Sequence, residues 1–361
     1  MMVTAPPFVG HRLHLAFTSL LLILHLILGQ LSEDQRVDEY HARNHQWPPL
    51  PSNYIPDNSG WRSLFDRRFQ QIAQIPDLDA KYNAYMSSVH SALLAPNFTE
   101  YGWALTRGPD GLVQDLLHVL LDGLESSEEA EVEIQQHPVS EEYPQELPLM
   151  ISIGKKLNTR AMEELKLILE AWSGVKLIAN NAYGLRVYRN QSKLFMHIDE
   201  TSSHVISAIL HVGHDPNGAP WPLVIEDLYG NTNEVYLETG DMLLYESSKC
   251  FHGRPKRYNG NWYSSLFIHY YPHDWDEDRI EMDTHYRIPP NWNEMPTNPE
   301  SHLETLAVME TSFKEPGCEH EWCGMKNTIK WERSERLEFG QFLSGDGEIR
   351  RLQFDEVGDE L

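Results

Sequence analysis

The stretch Leu194-Phe195-Met196-His197-Ile198-Asp199 joins an apolar, strand-like run to two metal-binding side chains spaced two apart. In a β-strand, residues i and i+2 point to the same side, so His197 and Asp199 aim together while Ile198 packs on the opposite layer. A further histidine, His252, follows 53 positions after Asp199 within Cys250-Phe251-His252-Gly253-Arg254-Pro255. Two imidazoles and one carboxylate can occupy one face of an octahedral ion and leave the other face open for chemistry. In that role His197, Asp199 and His252 are metal ligands, not acids or bases. A chain with 18 histidines contains roughly one His-x-Asp triplet by chance, so the surrounding pattern must decide.

That pattern is β from residue 183 to residue 272. Residues 185–188, 194–198, 205–212, 222–225, 234–237, 242–245 and 262–271 are short runs rich in β-branched, aromatic and leucine residues. Turn formers separate them: Asp215-Pro216-Asn217-Gly218, Tyr229-Gly230-Asn231, Thr239-Gly240-Asp241 and Asn259-Gly260-Asn261. Strands at this spacing, with no helical period between them, predict a sandwich or jelly roll in which sequence-distant strands become neighbours. His252 can then meet His197 and Asp199.

With these residues in place, the sequence resembles the iron and 2-oxoglutarate dependent dioxygenases, and within them the prolyl 4-hydroxylase-like branch. The resemblance covers residues 183–272, about a quarter of the chain. It rests on His197-Ile198-Asp199, on His252-Gly253-Arg254-Pro255 after Gly240-Asp241-Met242-Leu243-Leu244-Tyr245, and on the Phe267-Ile268-His269-Tyr270 strand. Tyr188, nine residues before His197, stands where this branch keeps a tyrosine facing the 2-oxoglutarate pocket. The resemblance implies a mainly β core of the double-stranded β-helix or jelly-roll kind with flanking helices. It further implies Fe(II), 2-oxoglutarate as co-substrate and L-ascorbate, with hydroxylation of a substrate coupled to release of succinate and CO2. A protein or peptide substrate is expected, peptidyl proline first, another peptidyl side chain second and a small molecule third.

One position departs from the branch. Its members carry Lys or Arg about ten residues after the distal histidine to hold the far carboxylate of 2-oxoglutarate, and here those places are Asn261 and Trp262. A dicarboxylate still needs a charge-assisted partner, best a bidentate guanidinium. The nearest cations are Arg254, Lys256 and Arg257, with Lys249 upstream. Arg254 is the first choice, since Gly253 lets the backbone approach closely and Pro255 stiffens the exit. Tyr188, Lys256 and Arg257 are expected to assist.

The 54 acidic and 29 basic residues give a net charge of -25. No stretch offers the basic face that phosphate contacts require, so nucleic acid is not an expected partner. Residues 1–29 read as a secretory signal, with an apolar run at 13–28 and Gly29 before polar Gln30. An uncleaved membrane anchor is the alternative. The terminal Gly358-Asp359-Glu360-Leu361 is similar to a retention address of the endoplasmic reticulum, with Gly in place of the usual Lys or His. In that lumen Asn97-Phe98-Thr99 is an expected glycan acceptor, and Asn190-Gln191-Ser192 a less accessible one close to the metal strand. Cys318 and Cys323 are expected to close a local disulfide, leaving Cys250 as a small buried side chain.

The remaining organisation is coarser. Residues 30–148 read as a helical N-terminal region, with a Pro-rich arm at 46–51 and apolar spacing that predicts helices at 61–75, 81–94 and 111–124. The catalytic domain is expected at 149–273, entered by a helix at 158–174 capped by Asn158 or Thr159. Residues 274–361 form an acidic, Trp- and Pro-containing segment expected to wrap the core, mobile after residue 345. Two other classes stay open. A zinc hydrolase would need a general base at the open position, with Glu200 or Glu226 to serve. A non-catalytic jelly-roll metal-binding protein would keep the fold without turnover.

Overall fold

The computed structural model describes residues 54–126, 131–132, 141–142, 148–276, 307–309, 312–315, 317–325, 328–332 and 337–354. The expected signal at 1–29, the Pro-rich arm at 46–51 and the terminal tetrapeptide lie outside these residues. Among the described residues no helix is long and apolar enough to cross a membrane.

The described residues open with helices α1 (Ser59–Ala73) and α2 (Leu78–Ala84), a π-helical turn (Tyr85–His90) and a short α3 (Ser91–Leu94). Then come β1 (Trp103–Arg107), α4 (Asp110–Glu125), the two-residue strands β2 (Glu131–Val132) and β3 (Glu141–Glu142), β4 (Leu149–Ile151) and α5 (Gly154–Ser173). The central run is β5 (Leu177–Arg189), β6 (Lys193–His197), β7 (Ile206–His214), β8 (Leu223–Glu226), β9 (Thr232–Val235), β10 (Asp241–Tyr245), β11 (His252–Arg254) and β12 (Trp262–Pro272). The C-terminal segment adds β13 (Ala307–Met309), β14 (Ser312–Lys314), β15 (Thr328–Trp331), β16 (Gln341–Ser344) and β17 (Ile349–Arg351).

These strands form two facing sheets. The larger runs β17-β16-β1-β10-β7-β12-β5-β4-β2, and the smaller runs β13-β14-β6-β11-β8-β9-β15, with β3 beside β6. Strands β5 to β12 alternate between the sheets except for the β8–β9 hairpin, which stays in the smaller one, and this is the jelly-roll arrangement read from the turns. Apolar side chains between the layers, including Trp103, Leu105, Ile209, Ile225 and Tyr245, make the inner core. Helices α4 and α5 bury Leu116, Leu120, Leu165 and Leu169 against the outer face of the larger sheet. α5 ends where Gly174 takes the left-handed conformation (φ 73°) that a helix C-terminus favours and other residues resist.

Several boundaries differ from expectation for identifiable reasons. β1 sits inside the larger sheet between β16 and β10, with all five residues buried. The 148/149 boundary therefore crosses one continuous sheet, because a strand buried on both faces shows no alternation that would reveal it. The 81–94 helix is broken into α2, the π-turn and α3. α5 begins at Gly154, and Asn158 does not cap it but donates from Nδ2 to the Ala182 carbonyl at 2.7 Å. Past residue 345 the described residues include β17, which pairs antiparallel with β16, whereas this stretch was expected to be mobile.

The C-terminal segment is fastened by charge as well as by strands. Arg68 on α1, fully buried, bonds Glu226 on β8 at 3.1 Å and Glu315 at 2.8 Å, while Arg67 pairs with Glu315 at 2.9 Å. The Trp322 ring lies 3.9 Å from the Arg68 guanidinium. Burial pushes the Glu226 carboxyl up, whereas the two arginines outweigh burial at Glu315 and bring it down. Removing one partner of such a cluster leaves buried charge uncompensated, at a cost of roughly 3–5 kcal/mol. Arg68→Leu is accordingly expected to lower the unfolding free energy by ~3–5 kcal/mol in urea titrations, while Arg62→Leu on the exposed side of α1 leaves it unchanged.

Candidate metal centre

β6 and β11 are antiparallel neighbours, and their register sets His197 directly opposite His252. The approach depends on Gly253, where a Cβ would meet the Phe195 and Leu194 carbonyl oxygens at 2.6 and 2.9 Å. Each histidine is fixed by its own strand: His197 Nδ1 lies 2.8 Å from the Phe195 carbonyl, and His252 Nδ1 lies 2.9 Å from the Cys250 carbonyl. A carbonyl only accepts, so both rings carry their proton on Nδ1 and turn the Nε2 lone pair inward. Asp199 lies beside both. Its Oδ1 is 3.4 Å from His197 Nε2 and 3.6 Å from His252 Nε2, and its backbone N–H donates to the Ser247 carbonyl at 2.8 Å.

The three side chains are one of two groups among the described residues whose donor atoms gather closely enough for an ion. The other contains Cys318 and Cys323, which are joined in a disulfide with Cα atoms 5.2 Å apart. Burial and the neighbouring His197 push His252 down to about 4, so its ring is neutral at physiological pH. Burial alone would raise the Asp199 carboxyl, but His252, His197 and His269 together hold it far below the ordinary range. Asp199 Oδ2 is buried without a hydrogen-bond partner. Two neutral imidazoles and a carboxylate with converging lone pairs fit a divalent first-row metal.

Deeper between the sheets lies an aromatic chamber of Tyr188, Trp221, Tyr258 and Tyr263. Arg254, two residues after His252, reaches into it. Its guanidinium sits 4.7 Å from the Trp221 ring and 4.5 Å from the Tyr263 ring, and donates to the Trp221 carbonyl and the Tyr263 hydroxyl at 2.5 and 3.1 Å. Arg254 is 1% exposed, and no carboxylate of the described residues pairs with it. The companions expected beside it go elsewhere. Lys256 is exposed, with its carbonyl receiving the Trp221 indole N–H at 2.6 Å, and Arg257 donates to the Gln191 carbonyl at 3.0 Å. Pro255 ends the strand, and neither Lys256 nor Arg257 brings its charge into the chamber, although Tyr258 turns back into it.

Other expectations are resolved by packing. Asn190 is exposed in the turn joining β5 to β6, at the opposite end of β6 from His197, whereas Asn97 is half-buried and Thr99 spends its hydroxyl on Glu246 at 2.7 Å. Their order of accessibility is thus the reverse of that expected. Cys250 is buried and free, with its thiol pushed well up by burial. Glu226 is committed to Arg68 and Glu200 is exposed, so neither is arranged as the base that zinc hydrolysis needs.

Four residues near the centre were given no site role by the sequence reading, although Tyr245 and His269 stand in its motifs. His269 and Tyr245 are buried beside the ligands, with the Tyr245 ring 4.6 Å from the His252 ring and His269 Nδ1 3.6 Å from Asp199 Oδ2. Arg186 donates to the Tyr188 hydroxyl at 3.5 Å. Tyr183, half exposed, brings its hydroxyl 3.2 Å from His204 Nε2 and its ring 5.8 Å from that of His269. The period-two series Tyr263, Ser265, Phe267, His269 along β12 was the available signal, since those side chains share the inner face. Tyr183 also borders a cavity of about 630 Å³ lined by Met150, Lys155, Asn158 and Thr159.

No family profile and no curated protein sequence matches the chain. Among solved structures it is similar to a prolyl-4-hydroxylase from Pseudomonas putida, at 14% identity over 51% of this chain and 99% of that one, with a TM-score of 0.35. It is similar also to HygX from Streptomyces hygroscopicus with nickel and 2-oxoglutarate bound, at 13% identity over 48% and 84%, with a TM-score of 0.35. A prolyl hydroxylase from Trichoplax adhaerens, in complex with a hypoxia inducible factor oxygen degradation domain peptide fragment, covers 55% and 93% at 12% identity and a TM-score of 0.35.

Because the ligand side chains converge on an open space and do not fill the core, Asp199→Ala is expected to abolish stoichiometric Fe(II) binding while the near-ultraviolet circular dichroism of the apoprotein stays unchanged. Metal analysis after anaerobic loading and desalting checks it, with His197→Ala and His252→Ala expected to behave alike.

Proposed function

We propose that the protein is an Fe(II)- and 2-oxoglutarate-dependent oxygenase. The observation that carries this reading is the pairing, inside one β-barrel, of an open-faced His197–Asp199–His252 centre with a buried guanidinium that has no carboxylate partner among the described residues. A buried unpaired charge costs several kcal/mol unless a counter-ion supplies the missing interaction. A ligand with a metal-chelating end and a distal carboxylate answers both groups at once, and 2-oxoglutarate has that shape. Iron bound at the centre would supply oxygen activation coupled to conversion of 2-oxoglutarate to succinate and CO2.

The chain's own residues then divide the work. His197, Asp199 and His252 hold the metal, with both imidazoles preset by their strand carbonyls. Arg254 and Tyr263 bind the distal carboxylate, and Tyr188 and Trp221 wall the chamber against water. An arginine has five N–H donors, more than its two bonds here use. Asn261 and Trp262 need supply no charge, because Arg254 reaches the chamber from two residues past the distal ligand.

The proposed substrate is a protein or peptide, peptidyl proline first, another peptidyl side chain second and a small molecule third, with the cavity beside Tyr183 as the candidate place for it. Ascorbate would serve to keep the iron ferrous. The apolar run at 13–28, Cys318–Cys323 and the terminal Gly358 to Leu361 support residence in the endoplasmic reticulum lumen, with Asn190 the favoured glycan acceptor.

Purified protein with Fe(II) and 2-oxoglutarate is expected to release succinate, with a 16 Da gain on an accepted proline peptide. Absence of succinate from iron-loaded protein across a peptide panel would instead favour the non-catalytic reading. Arg254→Ala is expected to raise the apparent constant for 2-oxoglutarate by about two to three orders of magnitude, from a loss of ~3–5 kcal/mol. Arg254→Lys recovers only part because the planar fork is lost. Lys256→Ala and Arg257→Ala are expected to titrate like the parent. In cells, deleting the last four residues is expected to move the protein into the medium, and cytosolic full-length protein would contradict the lumenal reading.

A further inference from the structure

His269 on β12 pairs in register with Ser207 on β7, so both side chains share the inner face of the larger sheet. Its Nδ1 lies 2.8 Å from Ser207 Oγ, which lies 2.6 Å from Ser247 Oγ, which in turn donates to the His204 carbonyl at 2.8 Å. Each hydroxyl has one proton to give. Ser247 gives its proton to the carbonyl, so Ser207 must give its own to Ser247 and accept from the imidazole. The chain of donors therefore assigns the His269 proton to Nδ1. That same nitrogen is 3.6 Å from Asp199 Oδ2, the carboxylate oxygen that is buried without a hydrogen-bond partner. Oδ1 of Asp199 is the oxygen turned to His197 and His252. Ser247 anchors both ends of this arrangement, since its carbonyl also receives the Asp199 backbone N–H.

We propose that His269 is a positioning residue for the metal-binding carboxylate: with its Nδ1–H given to Ser207, the positive N–H edge of the ring still lies 3.6 Å from Asp199 Oδ2 and draws that oxygen by charge, leaving Oδ1 to the ion. This rests on the metal-centre reading above. A carboxylate free to swing would chelate through both oxygens and occupy a second coordination position, which the co-substrate and oxygen require. The ring is held for the task, with Ser207 below it and the His204 ring 4.2 Å away. Groups that orient a metal ligand in this way typically affect metal affinity by about 10–100-fold.

Cobalt(II) titrated into full-length apoprotein tests the assignment, because its visible absorption reports affinity and coordination geometry without turnover. His269→Phe keeps the ring and removes the N–H, whereas His269→Asn places an amide N–H near the former Nδ1. Expected are a ~10–100-fold weaker cobalt affinity and an altered visible spectrum for His269→Phe, recovery of most of both in His269→Asn, and an intermediate loss in Ser207→Ala. Parental affinity and spectrum in His269→Phe would overturn the inference alone. So would a His269→Asn protein no better than His269→Phe, which would make the residue a packing element. Parent protein that takes no cobalt would overturn the metal-centre reading, and this inference with it.

Discussion

The backbone pairing of β6 with β11 is the constraint on which the rest depends. It places His197 opposite His252, and it does so only because residue 253 is glycine and the two backbones can close. Each strand then uses its own carbonyl, two residues earlier, to hold the proton of its histidine on the outer nitrogen. A metal site made this way is prepared before any ion arrives, because the tautomer and the ring orientation are set by main-chain geometry.

Around that pair the molecule spends buried charge unusually. Arg68 is enclosed by Glu226, Glu315 and the Trp322 ring, which ties the first helix and the disulfide-closed loop to the back of β8. β8 lies next to β11, and β14, which leads into Glu315, lies next to β6 at Ser312–His197. The C-terminal segment is therefore part of the wall of the centre. Arg254 is the contrasting case: it has aromatic faces, a carbonyl and a hydroxyl but no acid among the described residues. One buried arginine is thus matched by carboxylates of the fold, and the other, among the described residues, only by neutral groups.

Much of the centre was legible from the chain. Period-two alternation places His197 and Asp199 on one side without any tertiary knowledge, and regular turn signals between short apolar runs specify two stacked sheets. The Cys318–Cys323 bridge was similarly local, since five residues of separation leave little choice of partner. Less was legible where both faces of an element are buried. β1 carries no alternation to announce it, and the π-turn after α2 interrupts an apolar spacing that reads as one helix.

What the sequence by itself determined is thus the class of fold, the two adjacent ligands and the candidate set of cations. Tertiary structure distinguished the members of that set by where their side chains lie. Arg254, Lys256 and Arg257 are chemically alike and nearly adjacent, yet only Arg254 lies before Pro255 on the strand that enters the barrel, while Lys256 faces solvent and Arg257 a turn carbonyl. His269 was distinguished in the same way: 70 residues separate it from Asp199, and only the β12–β7 pairing brings its nitrogen beside that carboxylate. Short-range periodicity fixes the direction in which a side chain points, but which groups it meets depends on strand pairing, and pairing is a property of the whole sheet.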